Sequence, residues 1–322
     1  MIPKYINLKN KINADITDNK YPIGSKLPTE VELAKAYAVS RSTVRQALAL
    51  LEEQGIISKH WGSGNTVIAK SDNSKSKTIM VLLPNNKDEF YSEIYSDISS
   101  TLMKNGFDIE FHSTDNRYQL EREYLHLLLN DVYAGLIIAI AHSNLPSTNA
   151  DLLQLQCKRQ LPIVFMNSAP SNIYNPTVIS LDYYGKGYQM ARNLINNGHE
   201  NLGGIFVNDN RGSIQAFSGF IDAIRDANLE ILDSSFLFCN SNDPQGINTR
   251  SNAGVNRFLK NAYDTVSAVY VDDETITGDG TFPIFTSNLI PSKSLGKECA
   301  KAIIDIKKNG RNRITTIPFN QV

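Results

Sequence analysis

From Thr78 onward the chain repeats one unit: a short strand-like run, a turn, then a stretch of amphipathic helical period. The runs fall at Thr78–Leu83, Phe107–His112, Leu136–Ile140, Ile163–Met166, Val178–Leu181, Leu202–Val207, Phe236–Cys239 and Val266–Val271. Most are too apolar for one face to meet water, and the segments between them are long enough for a helical crossover. That combination predicts an α/β body in which parallel strands carry helices on both faces. Ligands of such sheets bind outside the C-terminal strand ends. The loops to search are therefore those after Leu83, His112, Ile140, Met166, Leu181, Val207 and Val271.

Residues 1–69 follow a different pattern. Ile6, Ile12 and Ile16 share one face of a helix expected over 5–18, and Pro22, Gly24 and Pro28 punctuate the turn after it. Thr29 can cap a second helix holding Val31, Leu33, Ala34 and Tyr37, with Glu32 completing a capping box. Ser40 can cap a third, running to about Gln54 with Val44, Ala47, Leu48 and Leu51 inward, and Gly55 suits the position just past its end. Ile56–Ser58 and Thr66–Ala69 then read as a hairpin around WGSGN. The polar run KSDNSKSK forms a linker. The expected division is 1–69, a linker at 70–77, and 78–322, which suits 322 residues.

The net charge of −1 hides an asymmetry. Residues 1–70 carry ten Lys and Arg against six Asp and Glu, and the remainder carries 22 against 27. A basic end on an acidic body suits a polyanionic partner. Arg41, Ser42, Thr43 and Arg45 open the third helix, where the second helix of a helix-turn-helix meets base edges. Arg41 and Arg45 share a helix face, and an Arg can bond guanine O6 and N7 together.

The stretch GSKLPTEVELAKAYAVSRSTVRQALALLEEQGII, followed by WGSGN, resembles the GntR family of winged-helix repressors across residues 3–69. The resemblance implies an α+β winged helix-turn-helix in which Arg41, Thr43 and Arg45 read operator DNA. It also implies that Lys4, Thr29 and Glu30 lie at the DNA backbone or edge. Gly62, Ser63 and Gly64 would form a wing tip flanked by His60 and Trp61; glycines suit a tip that enters the minor groove. The later segments PIVFMN, ISLDYYGKG, NGHENLGGIFVNDN and TSNLIPSKSLGKECAKAI resemble the two-lobed, type I periplasmic-binding-protein-like core of the LacI family. The combination implies a cytoplasmic, homodimeric repressor of double-stranded operator DNA, controlled by a small sugar-like effector held between the lobes.

A polyol site needs planar polar groups for hydroxyls and an aromatic ring for C–H faces. The strand-end loops offer Phe90, Tyr91, Asp115, Asn116, Asn167, Asp182, Tyr183, Asp209, Asp272 and Asp273. Two departures from the family pattern stand out. An Arg expected before the GF of the helix after Val207 is replaced by the Gln215–Phe220 stretch, with Gln215 able to supply one hydrogen bond and Arg211 upstream. After VDDET only ITGDGTFPIF precedes TSNLIP, so the second lobe is expected to lack one βα layer. The rival reading is a DNA-binding regulator whose shortened sensor no longer takes a sugar.

An enzyme is not expected. There is no GxGxxG after the first strand, and no GxxxxGK[ST], HExxH or GxSxG. The histidines are scattered, with His199 expected in a helix-to-strand turn and His112 and His142 at strand ends. Cys157, Cys239 and Cys299 are far apart and odd in number, which suits no disulfide framework and no metal site. No cofactor is expected. No run reaches the roughly 18 apolar residues of a membrane span, and the charged start resembles no secretion signal.

Overall fold

The computed structural model describes residues 3–60, 64–70, 77–84, 89–130, 133–241, 252–262, 264–272 and 282–320. The N-terminal domain holds α1 (Lys4–Thr17), α2 (Glu30–Ala36) and α3 (Arg41–Glu53), then strands β1 (Ile57–His60) and β2 (Gly64–Val67). Its core joins Leu8, Ile12 and Ile16 of α1 to Leu33 of α2 and to Val44, Ala47, Leu48 and Leu51 of α3. Leu8 takes the place expected for Ile6, because positions 8, 12 and 16 stack one turn apart. Val31 faces water instead.

The start signals work as their chemistry requires. Thr29 and Glu32 form the reciprocal capping box of α2. Ser40 accepts from Thr43 N at 3.1 Å to cap α3. Gly55 ends α3 at φ +64, the left-handed region that favours glycine. β1 and β2 pair antiparallel from Ile57↔Val67 to His60↔Gly64, so both strands run closer to the hairpin tip than expected. The Tyr37 hydroxyl donates to Asp15 at 2.5 Å and ties the end of α2 to α1.

The body comprises β3 (Thr78–Leu83), α4 (Glu89–Lys104), β4 (Asp108–Ser113), α5 (Tyr118–Asn130), β5 (Gly135–Ile138), α6 (Ala150–Lys158), β6 (Ile163–Met166) and β7 (Thr177–Leu181). Next come α7 (Tyr183–Asn196), β8 (Leu202–Val207), α8 (Arg211–Asp226), β9 (Phe236–Cys239), α9 (Asn252–Ala262), β10 (Ala268–Val271), β11 (Ile284–Phe285), α10 (Leu295–Asn309) and β12 (Ile314–Ile317). Two sheets form, in the order β12-β7-β6-β5-β3-β4 and β11-β10-β8-β9. Every pairing in them is parallel. β3 shows why its run is apolar throughout: Ile79, Val81 and Leu83 enter one core, and Met80 and Leu82 enter the core on the opposite face.

The first lobe is built from β3–β7 and then completed from the far end of the chain. α10 packs on α4, and β12 pairs with β7. β12 was not expected: RNRITTIP is polar, and this edge strand leaves Ile314 exposed. The second sheet has four strands and ends in the two-residue β11, with no helix between β10 and β11 among the described residues. Phe319 packs against the cores of both lobes. The first domain sits on α6, with Gly55 against Leu155 and Arg159, and Lys70 N donates to Leu129 O at 3.1 Å.

α7 and α8 cross in unusually close contact. A Cβ on Gly187 would stand 1.9 Å from Ala216 O, and one on Gly219 would stand 2.0 Å from Tyr184 O. Only a hydrogen fits at either point. Tyr184 and Tyr188 hydroxyls then donate to Asp222 and Asp226 across the same contact. Gly219→Ala must force the helices apart and should cost about 3 kcal/mol. Urea denaturation followed by circular dichroism checks this; an unchanged midpoint would refute the close contact.

Burial raises the pKa of Asp15, but hydrogen bonds from Lys20 and Tyr37 and the Lys20 charge outweigh it and leave the carboxyl below its ordinary range. Its stabilisation is complete above the unfolded-state carboxylate pKa and is lost as pH falls through the lower native value. The chain's one tryptophan, Trp61, belongs to this domain in sequence, so its emission can report the domain's unfolding. On acidification the urea midpoint should fall less for Asp15→Asn than for the unaltered chain.

Candidate functional site

The first site is the exposed face of α3. Arg41, Ser42 and Arg45 point into solvent, with Thr43 partly covered. Ser40, whose hydroxyl caps the helix, lies 2.8 Å from both the Ser42 and the Thr43 hydroxyls, so three hydroxyls gather at the helix start. Glu30 stands beside them. Arg45 Nη2 and Nε reach its two carboxylate oxygens at 2.9 and 3.3 Å. That hydrogen bonding, followed by the charges of Arg45, Lys59 and Arg41, holds Glu30 below the usual range despite partial burial. Arg41, Arg45 and Lys59 thus converge around one carboxylate. Lys59, on β1, is the member the sequence did not single out; only its place just before the hairpin tip hinted at it.

Lys4 is exposed at the start of α1, and Gly64 is exposed at the start of β2. The Thr29 hydroxyl is engaged with Glu32 at 2.8 Å as part of the cap. Gly62, Ser63, Trp61 and the His60 side chain lie outside the described residues.

The second site is the cleft between the lobes, and it joins the candidates unequally. Asp209, 1% exposed, follows β8. It meets His142 Nδ1 at 2.6 Å across the cleft and accepts from Ser241 N at 2.9 Å and from the Ser241 hydroxyl. Asn116 completes the ring: its amide donates to Ser241 Oγ at 2.7 Å, and its carbonyl accepts from His142 N at 2.8 Å. Beside it, Asn144 Nδ2 donates to Asn208 O at 2.8 Å, and Arg211 N donates to Ser143 Oγ at 3.0 Å. The lobes are therefore joined by direct hydrogen bonds along the loops after β4, β5, β8 and β9. Tyr118 flanks the His142 ring, with centroids 4.8 Å apart. His142, Ser143, Asn144 and Ser241 were not among the effector candidates, although His142 had been placed at a strand end. Its backbone at φ +46 turns it into the cleft.

A second group forms around Tyr183. Asn167 Nδ2 donates to the Tyr183 hydroxyl at 3.3 Å, and Asn167 Oδ1 accepts from Leu181 N at 3.4 Å. Burial, then the nearby Tyr91 and Asp272, push the Tyr183 phenol well above its ordinary pKa. Asp272 is held by Lys186 at 3.2 Å and by the Tyr270 hydroxyl at 2.8 Å. Phe90 is half exposed and meets Tyr91 edge-on.

Two candidates carry local structure. Asp182 caps α7 by accepting from Gly185 N at 2.9 Å. Asp115, in the left-handed region at φ +48, accepts from the Ser113 hydroxyl at 2.8 Å. Both are the turn-making uses open to any Asp at a strand end. Gln215 lines a cavity beside the cleft together with Asn167. Asp273 lies outside the described residues.

A helix-turn-helix domain with a β-hairpin, set on two parallel α/β lobes with polar strand-end loops facing across a cleft, defines the class. The chain belongs to the periplasmic binding proteins and sugar binding domain of LacI family, whose model matches residues 76–288, and residues 4–67 match the bacterial regulatory proteins of the gntR family. It is 31% identical over 224 residues to an arabinose metabolism transcriptional repressor of Geobacillus stearothermophilus, covering 69% of this chain and 61% of that protein. A second arabinose metabolism transcriptional repressor, from Halalkalibacterium halodurans, is 27% identical over 238 residues, covering 72% of this chain and 63% of its own. The chain thus spans a little over three-fifths of these relatives' length. In structure it resembles the transcription regulator CcpA of Lactococcus lactis, with a TM-score of 0.62 at 14% identity over 77% of this chain and 98% of the other. That likeness bears on the fold. Among the described residues no helix is long and apolar enough to cross a membrane.

Asp209→Ala removes the acceptor shared by His142 and Ser241. We expect the lobes to separate, seen as a larger radius of gyration by small-angle X-ray scattering. An unchanged radius would refute Asp209 as the group that holds the lobes together, the remaining bonds of Asn116, Asn144 and Arg211 then sufficing.

Proposed function

We propose that this chain is a transcriptional repressor that binds operator DNA through residues 1–69 and is controlled by a small sugar-like effector in the cleft of residues 78–322, with 70–77 as the linker. The observation that carries the reading is the exposed cationic start of α3, with Lys59 beside it. A helix N-terminus bearing two arginines on one face suits a major groove, and Glu30 holds Arg45 extended until a phosphate or a guanine replaces it. The arabinose repressors matched above support a sugar as effector, arabinose among them.

The chain would work as a cytoplasmic homodimer, placing two such helices on successive grooves of a palindromic site. β9 is an outer strand of its sheet, and exposed Phe238 on it and Ile231 just before it offer apolar contact for a second copy. An effector acts only through its different affinity for two arrangements of the lobes. We assign the chain no catalytic role.

The test is fluorescence anisotropy of the full chain on DNA from upstream of its own operon. Replacing Arg41 and Arg45 together by Ala should weaken binding by about 100-fold or more, at about 1–3 kcal/mol for each bidentate contact. It should also lower the salt slope of log K by up to about two if both contact phosphate. Unchanged affinity would refute the assignment of α3.

One observation favours a second reading, a regulator whose sensor takes no sugar: Asn116 and Asp209 already bond across the cleft. Calorimetry with pentoses, hexoses and their acid and phosphate derivatives separates the two readings. Binding of any of them supports the first, and silence throughout supports the second.

A further inference from the structure

Beside the interlobe bonds lies a cavity of about 680 Å³, within the range of about 300–1,000 Å³ usual for small-molecule sites. The first lobe supplies most of its wall, from the loops after β5 and β6 and from Ser180 of β7 and Thr316 of β12. The second lobe supplies Arg211 and Gln215 from the start of α8.

The charge of this wall is one-sided. Among the described residues Arg211 is its only ionisable side chain, and every other polar side chain is a hydroxyl or an amide. The Arg211 guanidinium is exposed and has no ion-pair partner among the described residues. Ser168, also in the wall, is 4% exposed, and its hydroxyl has no hydrogen-bond partner among the described residues. A buried hydroxyl without a partner is costly, and the groups around this one are suited to polyhydroxylated ligands. A neutral sugar is ordinarily held by carboxylates that accept from its hydroxyls. This wall carries a cation and, among the described residues, no carboxylate.

We propose that this cavity binds an anionic polyol: a sugar derivative with one carboxylate or phosphate group on Arg211 and its hydroxyls on Ser168 and Gln215. The inference rests on the ligand-controlled reading above and narrows its effector class. Because Arg211 and Ser168 belong to different lobes, such a ligand joins them and favours the arrangement in which they stand close.

Isothermal titration calorimetry on the full chain tests it, with D-gluconate, D-glucuronate, D-glucose 6-phosphate and D-ribose 5-phosphate as probes. D-glucose, D-ribose, L-arabinose and inorganic phosphate are the controls. At least one charged probe should bind about tenfold or more tightly than every control, the scale of one charge-assisted hydrogen bond. Sugar acids alone binding would identify the carboxylate source, and sugar phosphates alone the phosphate source. Arg211→Ala should weaken that probe about tenfold, Arg211→Lys should weaken it less, and Ser168→Ala should weaken it several-fold. Melting curves verify that each variant is folded. The proposal is overturned if no charged probe binds at millimolar concentration, if a neutral sugar or inorganic phosphate binds as tightly, or if Arg211→Ala leaves the affinity unchanged. DNA affinity of the unaltered chain, measured on the same preparation, fails only if the regulator reading itself fails.

Discussion

The arrangement of the two lobes depends on one buried carboxylate. Asp209 is out of water, and a charge in that position is tolerated only when its oxygens are filled by donors. Ser241 supplies a backbone and a hydroxyl donor from its own lobe, and His142 supplies the third contact from the other lobe. The lobes cannot separate without leaving that acceptor short of a partner or admitting water to it. The cleft is thereby turned from a gap between two independent sheets into a joint with a preferred position.

The same joint is in contact with the DNA-binding candidate through the first lobe. The residue before His142, Ala141, donates its N–H at 2.6 Å to Glu121 of α5, a fully buried carboxyl also held by Asn149. Burial raises the Glu121 pKa, and these hydrogen bonds oppose the rise. At the far end of α5, Leu129 O accepts from Lys70, and Leu128 O accepts from Arg159 at 2.6 Å. Arg159 in turn lies under Gly55, at the end of α3. Contiguous contacts therefore run from the cleft through α5 and α6 to the base of α3, the helix that presents Arg41 and Arg45. Buried Arg159, with Nε and Nη2 lacking partners among the described residues and a pKa lowered by burial to about 10, marks the seam as imperfectly satisfied. A seam of that kind holds its two sides less firmly than a fully bonded core would.

Much of this was legible in the chain before any coordinates. Ser40, Thr29, Glu32 and Gly55 announced helix ends because caps act through near neighbours in sequence. The β3 run announced burial on both faces because period-2 geometry sends alternate residues to opposite cores. The effector candidates were only half legible, and the reason is physical. An Asp at a strand end has the same local sequence whether it caps a helix, as Asp182 does, or spans a cleft, as Asp209 does. Ser241 and Asn144 carried no signal, and Lys59 only its place before the hairpin tip, because their importance comes from neighbours more than 30 residues away or on another element.

The sequence by itself determined the order of the elements as far as β10, the break between a small helical domain and an α/β body, the helix ends and the cationic start of α3. These follow from periodicity, capping and charge, all of which act over a few residues. Only the tertiary structure decided that β12 returns from the end of the chain to pair with β7. It also decided that Asn116 and His142 meet Asp209 and Ser241, and that Arg211 and Ser168, from different lobes, line one cavity with no other ionisable side chain among the described residues. Those facts depend on which distant segments fill the same space, and long-range packing leaves no period in the chain from which it can be read.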